Sequence, residues 1–235
     1  YSGLAKLRLG RELLPFGNME DEGSNMWLLN SNQEEYTTEH YFRGQRSLKQ
    51  IRNSGNSTFN VTSLEKRYPL IAGSYNPDDF GKEFSMHAAI KTNNTGQANL
   101  KIKYHKERLG YDENGIFPPL GEQMLNVYPT GTTAWRHYDE VLNLPEDTRF
   151  FNIQAISYPP NSGEAQVYFD DIGVIEWENW EYLYSASHPN GVEVKNPNDY
   201  YYLQLKTRQN LTGQYISFTE TFYGTRPENN IPPQC

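Results

Sequence analysis

The chain has 235 residues, 36% of them hydrophobic and 14% aromatic, which is enough apolar mass for a real core in one large domain or in a domain with an appended subdomain. A formal net charge of -8 opposes phosphate backbones and anionic lipid surfaces, so nucleic acid and membrane surfaces are poor partners. No apolar run approaches the ~18 residues of a membrane span, and the lone cysteine, Cys235, leaves neither an internal disulfide nor a thiolate metal cage.

Much of the apolar mass is carried by 18 Tyr, 11 Phe and 4 Trp, whose broad faces suit a pleated surface, and helix formers never recur at helical spacing. The chain therefore reads as all-β. Its opening segment, LLPFGNMEDEG, leads to Trp27 and then to FRGQRSLKQ, in which Ser47 to Asn53 forms a strand. Phe84 to Thr92 alternates Phe84, Met86, Ala88 and Ile90 against Ser85, His87, Ala89 and Lys91, one apolar face against one polar face. Ala98 to Arg108 does the same, with Leu100, Ile102 and Tyr104 opposed to Lys101, Lys103 and His105. The Gly-, Pro- and Asn-rich stretch from Leu109 to Thr133 is a long connection, and on a compact domain such a loop has a function or moves.

Three further strands are expected at Trp135 to Leu144, Phe150 to Tyr158 and Gln166 to Glu176, the last within VYFDDIGVIEW. After Asn179 the texture becomes aromatic, with turns at His188-Pro189-Asn190-Gly191 and Asn196-Pro197-Asn198-Asp199. Residues 1–178 thus form a β-sandwich, and 179–235 a β extension whose Trp180, Tyr182, Tyr184 and Tyr200 to Tyr202 pack onto it. Asn-x-Ser/Thr sequons at Asn56, Asn60, Asn93 and Asn210 fit a secreted or cell-surface glycoprotein.

The ordered series Asn18 to Glu20, Trp27, Gly44 to Leu48, Thr132 to Trp135 and Phe169 to Ile172 resembles the calcium-containing carbohydrate-binding modules of families four, nine and twenty-two, over about Leu13 to Trp177. Met19 departs from that family's usual Phe, and the tail after Trp177 lies outside its pattern. The resemblance implies a jelly-roll sandwich of galactose-binding-like type, Trp27 and Trp135 packed inside it, and one structural Ca²⁺. Carried over, Glu20 and Asp170 supply carboxylates, Glu22 or Asp171 alternates, and Asn18 and Arg46 backbone oxygens. Calcium takes six to eight hard oxygens, which such a mixture provides. By alternation Asp170 shares a face with Ile172 and Val174 and points inward, so an ion or an Arg such as Arg43 has to meet it.

Sugar recognition combines flat rings with groups that bond hydroxyls. The candidates are His87, Lys91, Lys103 and His105, with Asn152 and Gln154 on the same surface and Tyr111 and Tyr128 as stacking rings from the long loop. The expected function is non-catalytic binding of a polysaccharide or glycan. Two other classes stay open: an assembly domain of a surface protein, filament or virion, and a lyase or hydrolase. Arg46, Gln154 and Tyr200 to Tyr202 mimic fragments of a lyase site, but Ile156 stands where its His belongs, and Glu20 and Glu22 are the nearest carboxylate pair.

Overall fold

The computed structural model describes residues 5–14, 17–20, 27–29, 33–56, 60–64, 67–70, 83–112, 115–182, 202–211 and 214–223. In chain order the strands are β1 (Ala5–Glu12), β2 (Trp27–Leu28), β3 (Glu34–Thr37), β4 (Ser47–Asn53), β5 (Asn60–Leu64), β6 (Tyr68–Pro69), β7 (Glu83–Thr95), β8 (Gln97–His105), β9 (Tyr111–Asp112), β10 (Gly115–Ile116), β11 (Gly121–Met124), β12 (Gly131–Val141), β13 (Phe150–Tyr158), β14 (Glu164–Trp177), β15 (Glu181–Tyr182), β16 (Tyr202–Leu211) and β17 (Gln214–Tyr223). No helix occurs among the described residues, so none is long and apolar enough to cross a membrane.

Two antiparallel sheets face each other as a jelly-roll β-sandwich. The first runs β12-β7-β14, with β4 and then β3 beside one half of β14 and β1 beside the other half. The second runs β11-β8-β13-β5-β2, with β6 also on β13. Consecutive strands cross repeatedly between the layers, so each can bury one side: Met86, Ala88 and Ile90 of β7 meet Leu100 and Ile102 of β8 and Phe151 and Ile153 of β13 in one core. The alternation expected for β7 and β8 therefore holds, and Trp27 is buried in that core. A polar tie also crosses the gap, where the Gln50 Nε2 on β4 donates to Thr62 Oγ1 at 2.7 Å and to the Ala155 carbonyl at 3.1 Å.

Several boundaries differ from expectation. Strand β8 stops at His105, because the chain beyond folds over Arg67, whose guanidinium donates to the carbonyls of Glu107, Leu109 and Phe117. The long connection is not plain loop: it holds the β9–β10 hairpin and the edge strand β11. The C-terminal hairpin β16–β17 does not simply lie on the sandwich. It joins β1 edge to edge, Leu7 opposite Leu205 and Leu9 opposite Leu203, and so lengthens the first sheet in its own plane. Tyr184, Tyr200 and Tyr201, and both turns between them, lie outside the described residues.

Candidate functional site

Strand β14 changes neighbour midway, from β4 at Phe169 to β1 at Ile175, and the register with β7 slips between Asp170 and Gly173. A bulge of this kind leaves backbone groups without ladder partners. Carboxylates and loops supply them. Glu12 Oε1 accepts from the Leu14 and Val174 N–H groups at 2.7 and 2.9 Å, and the Ile172 N–H donates to the Gly17 carbonyl. Asp170 Oδ2 accepts from Phe42 and Arg43 N–H at 2.7 and 2.9 Å, and its Oδ1 from Asp171 N–H at 2.7 Å. Glu20 Oε1 accepts from Gln45 and Arg46 N–H at 2.8 and 3.0 Å. Gly44 lies between the donor pairs Phe42–Arg43 and Gln45–Arg46 with φ +70°, and a Cβ there would collide with Glu20 Oε1.

Glu20 and Asp170, from distant parts of the sequence, thus grip one short loop, 42–46. One expectation needs correction. Asp170 does not point inward with Ile172: it pairs with Ala89, on the side opposite Phe169 and Ile90, and the slip after it reverses the alternation. It is fully buried because the loop covers it. Burial pushes its carboxyl up to about 7 despite the N–H groups of Arg43, Phe42 and Asp171, with the Asp171 charge raising it further. Asp171 has φ +46° and faces the Arg43 guanidinium at 3.8 Å and His137 Nε2 at 3.6 Å. Among the described residues no three acidic or histidine side chains cluster closely enough to hold a metal by themselves. Asn18 and Arg46 flank the grip, and Glu22 lies outside the described residues.

The outer face of the first sheet carries one continuous register row. Glu35 on β3 stands opposite Lys49 on β4, Lys49 opposite Tyr168 on β14, and Tyr168 opposite Lys91 on β7. On β12 the register slips between Thr133 and Arg136, so that Ala134 and Trp135 together oppose Lys91. The Lys49 and Lys91 ammonium groups lie 5.8 and 5.7 Å from the centre of the buried Tyr168 ring. Lys49 is held by Glu39 at 2.7 Å and by Glu35 at 3.5 Å, and the Glu39 hydrogen bond, outweighing burial, raises its pKa. Loop 38–46 forms the rim: His40 meets Tyr168 edge-on at 4.9 Å, and Phe42 meets Trp135 at 5.9 Å and His137 at 4.7 Å. Trp135 is therefore not a core residue. It is half-buried at the open end of the row, and Tyr41, 48% exposed, stands on the rim.

The predicted ligand set does not share one surface. His87 and Lys91 belong to the first sheet, whereas Lys103 and His105 on β8 and Asn152 and Gln154 on β13 belong to the outer face of the second. There Asn152 pairs with Lys103 and Gln154 with Lys101, a polar block with no ring inside it, and Lys101 bonds Glu122 at 3.1 Å. His87 and His105 are buried. Burial, reinforced by Arg67 and Lys103, lowers the His105 pKa to about 4. Tyr128 is exposed on the loop between β11 and β12, and the Tyr111 side chain lies outside the described residues. Arg46 lies in the loop that leads into β4 of the first sheet and Gln154 lies on β13 of the second, so these two lyase fragments do not share a surface. Asn93 is exposed on the same face as Lys91, Asn56 is half-buried, and the side chains of Asn60 and Asn210 lie outside the described residues. Alternation alone found Lys91 but missed Lys49, Tyr168 and the ring of Trp135, because strand order decides which polar faces adjoin.

No family model matches the sequence, and none of the curated proteins matches it. Among solved structures, the chain is similar to a family 16 carbohydrate-binding module at 16% identity, covering 69% of this chain and 98% of that one with a TM-score of 0.46. It is also similar to TmCBM61, solved in complex with beta-1,4-galactotriose, at 13% identity over 71% and 99% of the two chains with a TM-score of 0.45. A third is the CBM22-1 and GH10 portion of xylanase 10B from Clostridium thermocellum, complexed with xylohexaose, at 14% identity over 72% of this chain and 28% of that one with a TM-score of 0.41. The sandwich of this chain rests on its own strand pairing.

Proposed function

We propose that this protein is a non-catalytic carbohydrate-binding domain, of a secreted or cell-surface protein, that holds a polysaccharide along the outer face of the first sheet. The observation that supports it is the row Glu35, Lys49, Tyr168, Lys91 and Trp135 across five adjacent strands, rimmed by His40, Tyr41 and Phe42. Five strands span about 19 Å, long enough for several sugar rings. Trp135 and Tyr41 offer partly open ring faces for the apolar side of a pyranose, and lysine and carboxylate groups take its hydroxyls. The carboxylates along the row are already engaged, Glu35 and Glu39 by Lys49, which argues for holding a chain over cleaving it.

Affinity electrophoresis through gels cast with neutral β-glycans tests the proposal. Trp135→Ala should lower retardation by at least ~10-fold in Kd, the scale of one lost stacking contact, while Asn152→Ala on the second sheet leaves it unchanged. Loss of retardation with Asn152→Ala and not with Trp135→Ala would move the site to the other sheet, and self-assembly without glycan binding would favour the surface-assembly reading.

Structural calcium belongs to the same proposal. Glu20 with its Oε2, Asp170 with its Oδ1, and the backbone carbonyls of Asn18 and Arg46 would hold it, an oxygen-only set suited to a hard cation. Support comes from the convergence of Glu20 and Asp170 on loop 42–46, where the N–H groups of Phe42 and Arg43 meet one carboxylate and those of Gln45 and Arg46 the other. Calcium should raise the melting temperature over a chelator-treated sample, and Glu20→Gln should abolish the rise. An unchanged melting temperature would remove the ion and leave the glycan face standing.

A further inference from the structure

The two lysines that flank Tyr168 differ in charge compensation. Lys49 is neutralised by Glu39 and Glu35, but among the described residues no carboxylate lies within ion-pair distance of Lys91, whose partner is the Tyr168 ring. Lys91 is half-buried and stands directly beside Trp135, at the open end of the row. An ammonium carries three donors and no acceptor, and its bond to an ionised oxygen is about twice as strong as one to a neutral hydroxyl. Being partly desolvated against a ring strengthens that preference.

We infer that the face selects a glycan bearing a carboxylate, a uronic-acid residue whose ring lies on Trp135 and whose carboxylate meets Lys91. This rests on the glycan-binding reading and names its substrate class. The surrounding field sets the charge density of the ligand. The chain carries a net charge of -8, and Glu35, Glu39 and Asp139 share the face, so a densely charged polyanion is repelled while one carboxylate at Lys91 is not. The ligand that fits is a mainly neutral polysaccharide with isolated uronate residues.

The test uses β-1,4-glucan, β-1,4-galactan, β-1,4-mannan and β-1,3-glucan oligosaccharides, each intact and after light oxidation of the C6 hydroxymethyl group to a carboxylate. The backbone that binds best should bind about fivefold tighter once lightly oxidised at ~20 mM salt, and the gain should shrink at ~500 mM. Lys91→Met should erase the gain, so that the two forms bind alike and no tighter than the neutral form binds the unaltered protein, whereas Trp135→Ala should weaken both forms. Equal binding of the two forms by the unaltered protein, or a gain that survives Lys91→Met, overturns the uronate inference and leaves the glycan reading intact. Failure of every oligosaccharide, neutral and oxidised, overturns both.

Discussion

The outer faces of the two sheets are built from the same polar alphabet and end as different surfaces. Each offers lysines at alternate positions of a central strand, Lys91 on β7 and Lys101 and Lys103 on β8. On the first sheet the cross-strand neighbours of Lys91 are Tyr168 and Trp135, and a loop pinned by Glu20 and Asp170 walls the row. On the second they are the amides of Gln154 and Asn152 on one side and Met124 and Glu122 on the other, with no ring among them. A polar face becomes a recognition surface when rings and a rim organise it. Without them it is a solvated side of a sheet.

The rim is where the comparison breaks most easily. Asp170→Ala strands the N–H groups of Phe42, Arg43 and Asp171 in a buried place, which should cost about 3 kcal/mol in urea unfolding and abolish glycan binding with it. No residue of the Lys101–Gln154 block should approach that effect, because those side chains keep access to water.

The sheets should also respond oppositely to pH in calcium-free buffer. Asp170, raised to about 7 by burial, gives stability that is present below about pH 4 and lost as pH rises through about 7. His105, lowered to about 4 by burial, gives stability that is present above about pH 6.5 and lost as pH falls through about 4. At ~1.4 kcal/mol for each pKa unit, Asp170 is worth about 4 kcal/mol and His105 about 3 kcal/mol across that window, so they largely cancel in the unaltered protein. Asp170→Asn should uncover a stability that rises with pH, and His105→Gln one that falls. Parallel profiles for the two variants would refute the opposition.

Gly44→Ala places a Cβ against Glu20 in a left-handed backbone, for an expected loss of about 1–2 kcal/mol, while Gly55→Ala, with open space around it, should be near neutral. The smallest effect belongs to the second sheet. Lys101→Met removes an ion pair to the half-exposed Glu122 and should alter stability by less than about 0.5 kcal/mol and leave glycan binding unchanged.

Much of the fold was legible because strand faces follow a period of two. Met86, Ala88 and Ile90 against His87 and Lys91, or Leu100 and Ile102 against Lys101 and Lys103, declare their inner sides without any partner in view. The site was less legible. Asn152 and Gln154 alternate as His87 and Lys91 do, yet the two pairs stand on opposite sides of the molecule. The motif resemblance implies a core position for Trp135, whereas a two-residue bulge in β12 sets it opposite Lys91 on the outer face.

Composition and alternation by themselves determined an all-β chain, the apolar side of each central strand, and the acidic character that turns away nucleic acid. Only the tertiary structure decided which polar sides adjoin, that Asp170 faces out beneath a loop, and that the C-terminal hairpin extends a sheet through β1. The physical reason is that periodicity is local, set by the pleat of each strand, whereas strand order, bulges and loop closure depend on backbone hydrogen bonds between segments far apart in the chain.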